Sequence, residues 1–488
     1  MLQQYLRLNN AIEQFTADAI AHDPKVFRSG RSDIRHVVER HLYFALVADQ
    51  KLYEYFVAAQ TGVALPDMND LSIWGRQIAP YFRDARPTFE SQNWRSRCLR
   101  YLHQLHSRPR VQVEGCEDGH PRILFLVLHP KFVRYLKPIA DALCLPYGFL
   151  TIDDPETFRH LAELGFPRVH IRTNAEWPLL NKLANRMVGF KWRRGLFDGW
   201  ILKLNALKRV FRTTSLSCIV VPEGNADIYE LVNQAAKAAG LPTLCVQQGW
   251  APFVHPGFRN MSYDRMCMWG QRFADLLSPH NPGERFVVTG NHMIVCEPQG
   301  NISKRRAVAF FLQNGAHWIT ERTWRSMLEF IELASREFPE NEIRVREHPG
   351  EPLQPDDEAR LKALPNVRLM SPATSPLVEV LSGCRVAVAM NSTVILEAAA
   401  SGIVPLILDV NGFGPYHPDI ASDNAAVEVT SFCAACRELT RLMLDDAYYA
   451  SFAQPLDDVR GGLFPKNGDE ALQAIVAEIR DLSWQGAA

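Results

Sequence analysis

Residues 383–409, GCRVAVAMNSTVILEAAASGIVPLILD, leave the chain little freedom. Residues 385–390 are a short apolar run with β-branched members, the pattern of a buried strand. Asn391, Ser392 and Thr393 close that strand. Residues 394–401 carry the Leu, Glu and Ala of a helix, and Gly402 stands where a helix stops. Residues 404–409 read as a second strand. The unit is β-α-β, with two hydroxyls at the carboxyl end of its first strand, where a helix N-terminus offers unpaired N–H groups to an anion. Ligands of open α/β sheets bind along that edge. The plainest role for Ser392 or Thr393 is an N-cap, so the rest of the chain has to decide.

At 488 residues the chain exceeds what one core can serve, which predicts two or three domains. A composition 47% apolar and 22% charged is that of a soluble globular protein. A net charge of −1 excludes a global field for nucleic acid, and no recognition module is present. Ten Cys without regular spacing, and no secretory leader after Met1, predict a reducing cytoplasm rather than a disulfide framework. No apolar run reaches the roughly 18 residues of a membrane span, so a soluble or membrane-peripheral protein is expected. There is no GxxxxGK[ST] loop and no GxGxxG after a strand, which disfavours ATP-driven or dinucleotide chemistry. No HExxH and no paired CxxC points to a metal, and no cofactor is expected.

Residues 1–112 read as helical, with Leu, Phe, Tyr and Val at helical spacing over 33–62 and 91–106. An α/β pattern begins at Arg122. Residues 123–128 form a buried strand ending in His129-Pro130-Lys131, which places His129 and Lys131 at a ligand-facing edge, although loop residues of these types are more often merely solvated. Strands at 147–152 and 168–172 alternate with a helix at 155–164, implying a parallel sheet. Residues 190–212 are basic and amphipathic. Their Trp and Leu either pack on the core or lie on an anionic membrane surface, so peripheral membrane contact through 190–212 is one expectation. A strand at 217–221 then ends in Pro222-Glu223-Gly224-Asn225, and the next strand, at 241–246, ends in Gln247-Gln248-Gly249. The two place Glu223 and the Gln-Gln-Gly turn side by side. A carboxylate before Gly suits a general base or nucleophile, because Gly allows close approach and burial can tune the acid; the alternative is a carboxylate serving only the helix dipole.

A second α/β pattern restarts at 307–312, a strand ending in Gln313-Asn314. Residues 342–346 lead to His348-Pro349, where Pro biases the His to extended geometry. Ser375-Pro376 suits an N-cap followed by Pro at the first helical position, and Glu397 lies one turn beyond Thr393, on the same face. His348, Ser375, Ser392 and Thr393 can converge on one phosphate-bearing ligand, with Glu397 accepting from a ribose diol. The expected organisation is a helical N-terminal region (1–115), a first Rossmann-like domain (116–295), a second (296–465) and a crossover helix (466–488).

Two α/β domains with Glu223-Gly224 and Gln247-Gln248-Gly249 in the first, and His348-Pro349 followed by Ser392-Thr393 in the second, resemble the GT-B glycosyltransferases of bacterial capsule and lipopolysaccharide assembly. Among these the chain is most similar to enzymes that use CMP-activated sugars, the bacterial sialyltransferases and Kdo transferases. The resemblance covers about residues 122–482 and implies an α/β, GT-B fold, two Rossmann-like parallel-sheet domains with a helical N-terminal extension. It also implies a CMP-sugar donor, a glycan or glycolipid acceptor and no metal. By the same resemblance, His348, Pro349, Ser375, Ser392, Thr393, Glu397 and Asn314 hold the donor nucleotide, and Glu223 and His348 serve catalysis. Gly224, Asn225, Gln247, Gln248, Gly249, His129 and Lys131 would then meet the acceptor or sugar. Gln248 stands where related enzymes carry His. The alternatives are a CDP-glycerol, CDP-ribitol or UDP-sugar transferase, a 2-epimerase relative, and a non-catalytic scaffold of an assembly complex.

Overall fold

A computed structural model of the chain describes residues 2–61, 64–65, 67–83, 88–89, 109–116, 121–173, 191–192, 197–250, 253–294, 305–313, 319–348, 352–390, 392–412, 414 and 417–485. The N-terminal part is helical: α1 (Leu2–His22), α2 (Arg35–Val47), α3 (Gln50–Thr61) and the single-turn α4 (Ile73–Ile78). The helix expected at 91–106 lies outside the described residues. The helical region ends earlier than its sequence predicts, because Arg110–Glu114 is a strand, β1. Val111 and Val113 alternate with polar residues, and an open sheet edge is there to pair with, so the β pattern wins.

The first sheet contains β1, β2 (Ile123–Leu126), β3 (Tyr147–Ile152), β4 (Arg168–Arg172), β5 (Cys218–Pro222), β6 (Thr243–Val246), β7 (Arg265–Met268) and β8 (Phe286–Val288). Its order is β8-β7-β6-β5-β2-β3-β4-β1, parallel except for the edge strand β1. From β2 the chain winds outward to β4, then returns to β5 beside β2 and winds the other way. The reversal between β2 and β5 is a topological switch point, where crossovers leave opposite faces and open a crevice at the carboxyl ends.

Successive residues of these strands serve opposite faces, as the pleat requires. Ile123, Phe125, Val220 and Leu244 pack under α5 (Lys131–Ala142) and under Ile475, Val476, Ile479 and Leu482. Leu124, Leu126, Ile219, Val221 and Cys245 face α7 (Asp198–Thr213), α8 (Asp227–Ala239) and the N-terminal helices. The apolar side of α7 is therefore in the core, with Phe197, Leu204, Leu207 and Phe211 buried. Lys208 Nζ donates to Ser29 O at 3.0 Å. Peripheral membrane contact through 190–212 stays an expectation: the buried side chains of this helix serve the core, and residues 190 and 193–196 lie outside the described residues. Among the described residues, no helix is long and apolar enough to cross a membrane.

The second sheet comprises β9 (Ala307–Phe311), β10 (Ile343–Arg346), β11 (Val367–Met370), β12 (Cys384–Ala389), β13 (Val404–Leu408) and β14 (Val427–Val429), in the order β11-β10-β9-β12-β13-β14. Every pairing in it is parallel, and its switch point lies between β9 and β12. Residues 383–409 form β12, α13 (Val394–Ala400) and β13. The glycine pair at 461–462 falls in the last turn of a helix, Ala453–Leu463, whose Leu456, Val459 and Leu463 are buried. This helix packs on both α13 and Gln271–Leu277, so it touches both halves. The α/β fold expected from the sequence, two Rossmann-like sheets of the GT-B type with a helical N-terminal extension, is the fold observed.

The last helix, Gly468–Gln485, leaves the second sheet and packs on the first. Its Arg480 donates to the carbonyls of Ala142 (3.2 Å) and Leu143 (3.0 Å) at the end of α5, and Glu478 and Asp481 pair with Arg265. We expect Ile479→Ala, at a fully buried position, to cost about 2–5 kcal/mol in chemical denaturation. Leu444→Ala, at a position 73% exposed, should stay within about 0.5 kcal/mol. Equal effects would mean that the returning helix is not part of the core.

Candidate functional site

Glu223 follows β5 at the first switch point. Its N–H extends the ladder by one rung, donating to Val246 O at 2.8 Å, and then the chain turns sharply. Glu223 and Gly224 both sit in the left-handed region, at φ +62° and +72°. For Glu this conformation costs about 1 kcal/mol or more, so the surroundings must enforce it. A side chain on Gly224 would come within 2.6 Å of Cys245 Sγ. The Gly224 carbonyl accepts from Arg40 Nη1 (3.0 Å) and from Tyr263 Oη (3.1 Å). Arg40, on α2, is fully buried and paired with buried Glu230 at 3.3 Å. The N-terminal helices thus clamp the turn from below.

The clamp leaves the Glu223 carboxyl over Gly249, where a Cβ would lie 2.5 Å from Oε1. Burial pushes Glu223 above the usual carboxylate range, and the Lys131 ammonium at the start of α5 partly offsets this. His129 caps that same helix, its Nδ1 accepting from Lys131 N–H at 3.1 Å. Tyr229 Oη is buried without a hydrogen bond, and burial together with the Glu223 charge pushes its hydroxyl up. Asn225 and Gln248 are half-buried at this edge.

Gln247 does not face an acceptor. It is buried, its carbonyl accepts from Tyr135 Oη (2.6 Å) and Trp269 Nε1 (2.8 Å), and its Oε1 accepts from Trp269 N–H. The two aromatic rings, distant in sequence, hold the backbone carbonyl, and the Trp269 N–H holds the side chain inward.

At the second sheet β9, β10 and β12 end in register, Phe311 opposite both Arg346 and Ala389. His348 is exposed two residues beyond β10, and Asn314 and Pro349 lie outside the described residues. Ser392 Oγ accepts from Val394 N–H at 3.4 Å, whereas Thr393 is already helical and makes no side-chain cap. Ser375 is not an N-cap either. The short helix Leu377–Leu381 begins after Pro376, and Ser375 instead offers its carbonyl to Arg346 Nη1 at 2.7 Å. Arg346 is the residue that sequence reading passed over, since an Arg alternating with Val in a strand looks like a solvated position. Burial lowers its pKa, the Glu397 charge opposes that, and Arg134 of α5 adds to it. Glu397 is in turn raised to about 7 by burial, against the attraction of Arg346.

Contacts near the ends of other strands join the halves. Trp250, just past β6, donates Nε1–H to His417 O at 2.5 Å, beyond β13. Arg272 pairs with Asp423. With Arg134 acting on Arg346, the carboxyl edges of the two sheets face each other. Among the described residues no group of three or more His, Cys, Asp or Glu is placed to hold a metal ion.

No family model matches the sequence, and no curated protein does. Solved structures share its outline. UDP-GlcNAc 2-epimerase from Neisseria meningitidis, bound to UDP-GlcNAc, is 14% identical over 73% of this chain and 99% of its own, with a TM-score of 0.49. Sucrose-phosphate synthase from Thermosynechococcus elongatus is 14% identical over 75% and 98%, at 0.41. The wall teichoic acid polymerase TagF is 10% identical over 80% and 95%, at 0.45. At such scores these likenesses carry no argument. The fold class rests on strand order, on the facing edges and on the returning C-terminal helix.

We expect Gly249→Ala to leave thermal stability nearly unchanged, since the flexible Glu223 carboxyl can step aside. Whatever reaction Glu223 serves should fall by about tenfold or more, because a displacement near 1 Å spoils geometry. Full activity in this variant would detach the carboxyl from the chemistry. For Glu397, unfolded chains ionise near 4.5 while the folded protein holds its proton to about 7, so its contribution to stability is lost as pH rises through that window. Melting curves should show Glu397→Gln gaining on the parent between pH 4.5 and 7; a pH-independent difference would refute the assignment.

Proposed function

We propose that this chain is a nucleotide-sugar-dependent glycosyltransferase of capsule or lipopolysaccharide assembly. In this reading it moves Kdo or a related ulosonic acid from a CMP-activated donor to a glycan or glycolipid acceptor. The supporting observation is the pairing of two switch points with unlike chemistry. A half-buried, raised carboxyl on a clamped turn stands at one, and hydroxyls, His348 and Arg346 stand at the other. Residues 116–295 with the edge strand β1 form the acceptor half, residues 296–465 the donor half, and residues 466–488 the crossover.

Each residue then has a stated task. Ser392, Thr393 and Arg346 meet the donor phosphate, and Glu397 accepts from the ribose hydroxyls. Glu223, poised above the usual carboxylate range, takes the proton of the acceptor hydroxyl. The acceptor oxygen bonds to the anomeric carbon as the bond to the phosphate oxygen breaks. The leaving CMP keeps that electron pair, which His348 and Arg346 stabilise. Written this way the transfer inverts, and Lys131 steadies the ionised Glu223 as it forms.

The test is a thermal-shift panel of CMP, CDP, UMP and UDP on the full chain and on His348→Ala, followed by transfer assays on Glu223→Gln. A nucleotide at 100 times its dissociation constant adds roughly 2.7 kcal/mol. A CMP-selective shift lost in His348→Ala is expected. Glu223→Gln should lose transfer by about 10²–10⁴-fold with CMP affinity intact, and EDTA should leave the rate unchanged. A shift selective for another nucleotide would overturn the donor, and no shift with any of them would favour the scaffold.

A further inference from the structure

His41 and Asp227 take no part in the chemistry assigned above, yet they abut it. Asp227 opens α8 four residues after Glu223, within about 14 Å even if the chain between them were fully extended. His41 follows Arg40, the residue that clamps the Glu223 turn. His41 Nδ1 and Asp227 Oδ2 are 2.8 Å apart, with the side chains 32% and 29% exposed. Burial alone would raise Asp227. The hydrogen bond and charge of His41, the Ile228 N–H and the Lys203 charge outweigh it and hold the carboxylate ionised.

Two tryptophans flank the pair. The His41 ring stands edge-on to Trp200 at 4.6 Å and to Trp74 at 6.0 Å, and the two indoles are 6.1 Å apart. Both rest on fully buried Phe197, at 5.9 Å each, which fixes their planes from beneath. Both are only half-buried, and neither indole N–H makes a hydrogen bond among the described residues. Beyond them, Lys203 pairs with Asp153 at 3.1 Å; Asp153 ends β3 at φ +51° and accepts from the N–H and hydroxyl of Thr173.

The patch therefore offers flat apolar faces beside hydrogen-bonding groups held in fixed positions, and its cation and anions are already paired with each other. That chemistry suits neither a phosphate nor a lipid headgroup, since Lys203, the cation described at this patch, is already paired with Asp153. It suits a ring with an apolar C–H face and hydroxyls at its rim. We infer that Trp74, Trp200, His41 and Asp227 form a subsite for an uncharged sugar ring of the acceptor, set back from its reacting end at Glu223. The inference rests on the transfer reading for the word acceptor, but the binding itself can be tested without turnover.

The test titrates the full chain with maltotriose, cellotriose and chitotriose. Calorimetry supplies the affinity, and saturation-transfer NMR identifies the sugar protons nearest the protein. We expect saturable binding of at least one trisaccharide, with C–H protons of one face receiving the strongest transfer. Affinity should fall about tenfold or more in Asp227→Asn and in His41→Ala, the scale of losing a hydrogen bond to a charged group. Trp200→Phe keeps the platform filled but narrower, and should weaken both the transfer and the binding. CMP affinity should be unchanged in all three, which separates subsite damage from misfolding. No saturable binding by any of the three sugars, or the same affinity in Asp227→Asn and Trp200→Phe as in the parent, overturns the inference. Sugar binding that persists in a chain bound by no nucleotide would leave the subsite standing and remove the transferase.

Discussion

The hydrogen bond from Arg40 to the carbonyl of Gly224 joins three layers of this structure. It comes from a helix of the N-terminal extension, passes beneath α8, and ends on the turn that presents Glu223. A guanidinium with no exposed surface is tolerable only if its charge is met; Glu230 and the Gly224 carbonyl both engage Nη1, while Nε and Nη2 are buried without a hydrogen bond. Removing either partner would leave a buried charge behind, so the helices, the turn and the sheet edge are energetically one unit. Two consecutive left-handed residues persist there because the ladder bond to Val246 on one side and the Arg40 and Tyr263 bonds on the other leave no other path. Strain of this kind concentrates where function needs a side chain aimed against local preference.

The C-terminal helix supplies the second constraint. A chain that crossed once between two sheets could swing about that crossing. Here it crosses back, and Ile475, Val476, Ile479 and Leu482 fill the groove beside α5 on the first sheet. The helix Ala453–Leu463 before it touches both halves, and the first half's Gly270 and Gly290 run against the backbones of residues 462–463 and 466 too closely for any side chain. The facing of the two carboxyl edges is thus set by packing at the rear of the molecule, not only by the few polar contacts across the front.

Periodicity made the β-α-β units legible. Strands fully buried on both faces, such as Ala307–Phe311, leave continuous apolar runs that cannot be confused with surface. The strand-end placement of Glu223, Lys131 and Ser392 followed from the same reading. What stayed hidden depended on partners remote in sequence. Gln247 reads as a ligand because it sits at a strand end, and only the Trp269 N–H that its Oε1 accepts from reveals that it points inward. Ser375 has the look of a cap, but its neighbour Arg346 claims its carbonyl before a helix begins. Arg40 left a trace: within α2 it lies one turn from both Val37 and Tyr43, which are buried, and a charge on a buried stripe signals a partner. The strand Arg110–Glu114 was lost because a five-residue edge strand buries almost nothing, and burial is what writes periodicity into a sequence.

Why a carboxyl and a set of cations should stand on separate sheets follows from Coulomb's law. At 4 Å and an effective dielectric of about 20, one positive charge favours an ionised carboxylate by roughly 4 kcal/mol, or about three pKa units. A Glu223 packed against Arg346 would stay ionised, tightly paired and too weak a base to take a hydroxyl proton. Opposite it, across a cleft, burial raises the carboxyl while only Lys131 pulls it back. Arg346 meanwhile is balanced by its own acid, Glu397, and faces the like charge of Arg134. Two cations from opposing halves repel each other until an anion comes between them. In the proposed transfer reading, the same charge arrangement that preserves the basicity of Glu223 leaves a gap suited to a phosphate-bearing ligand.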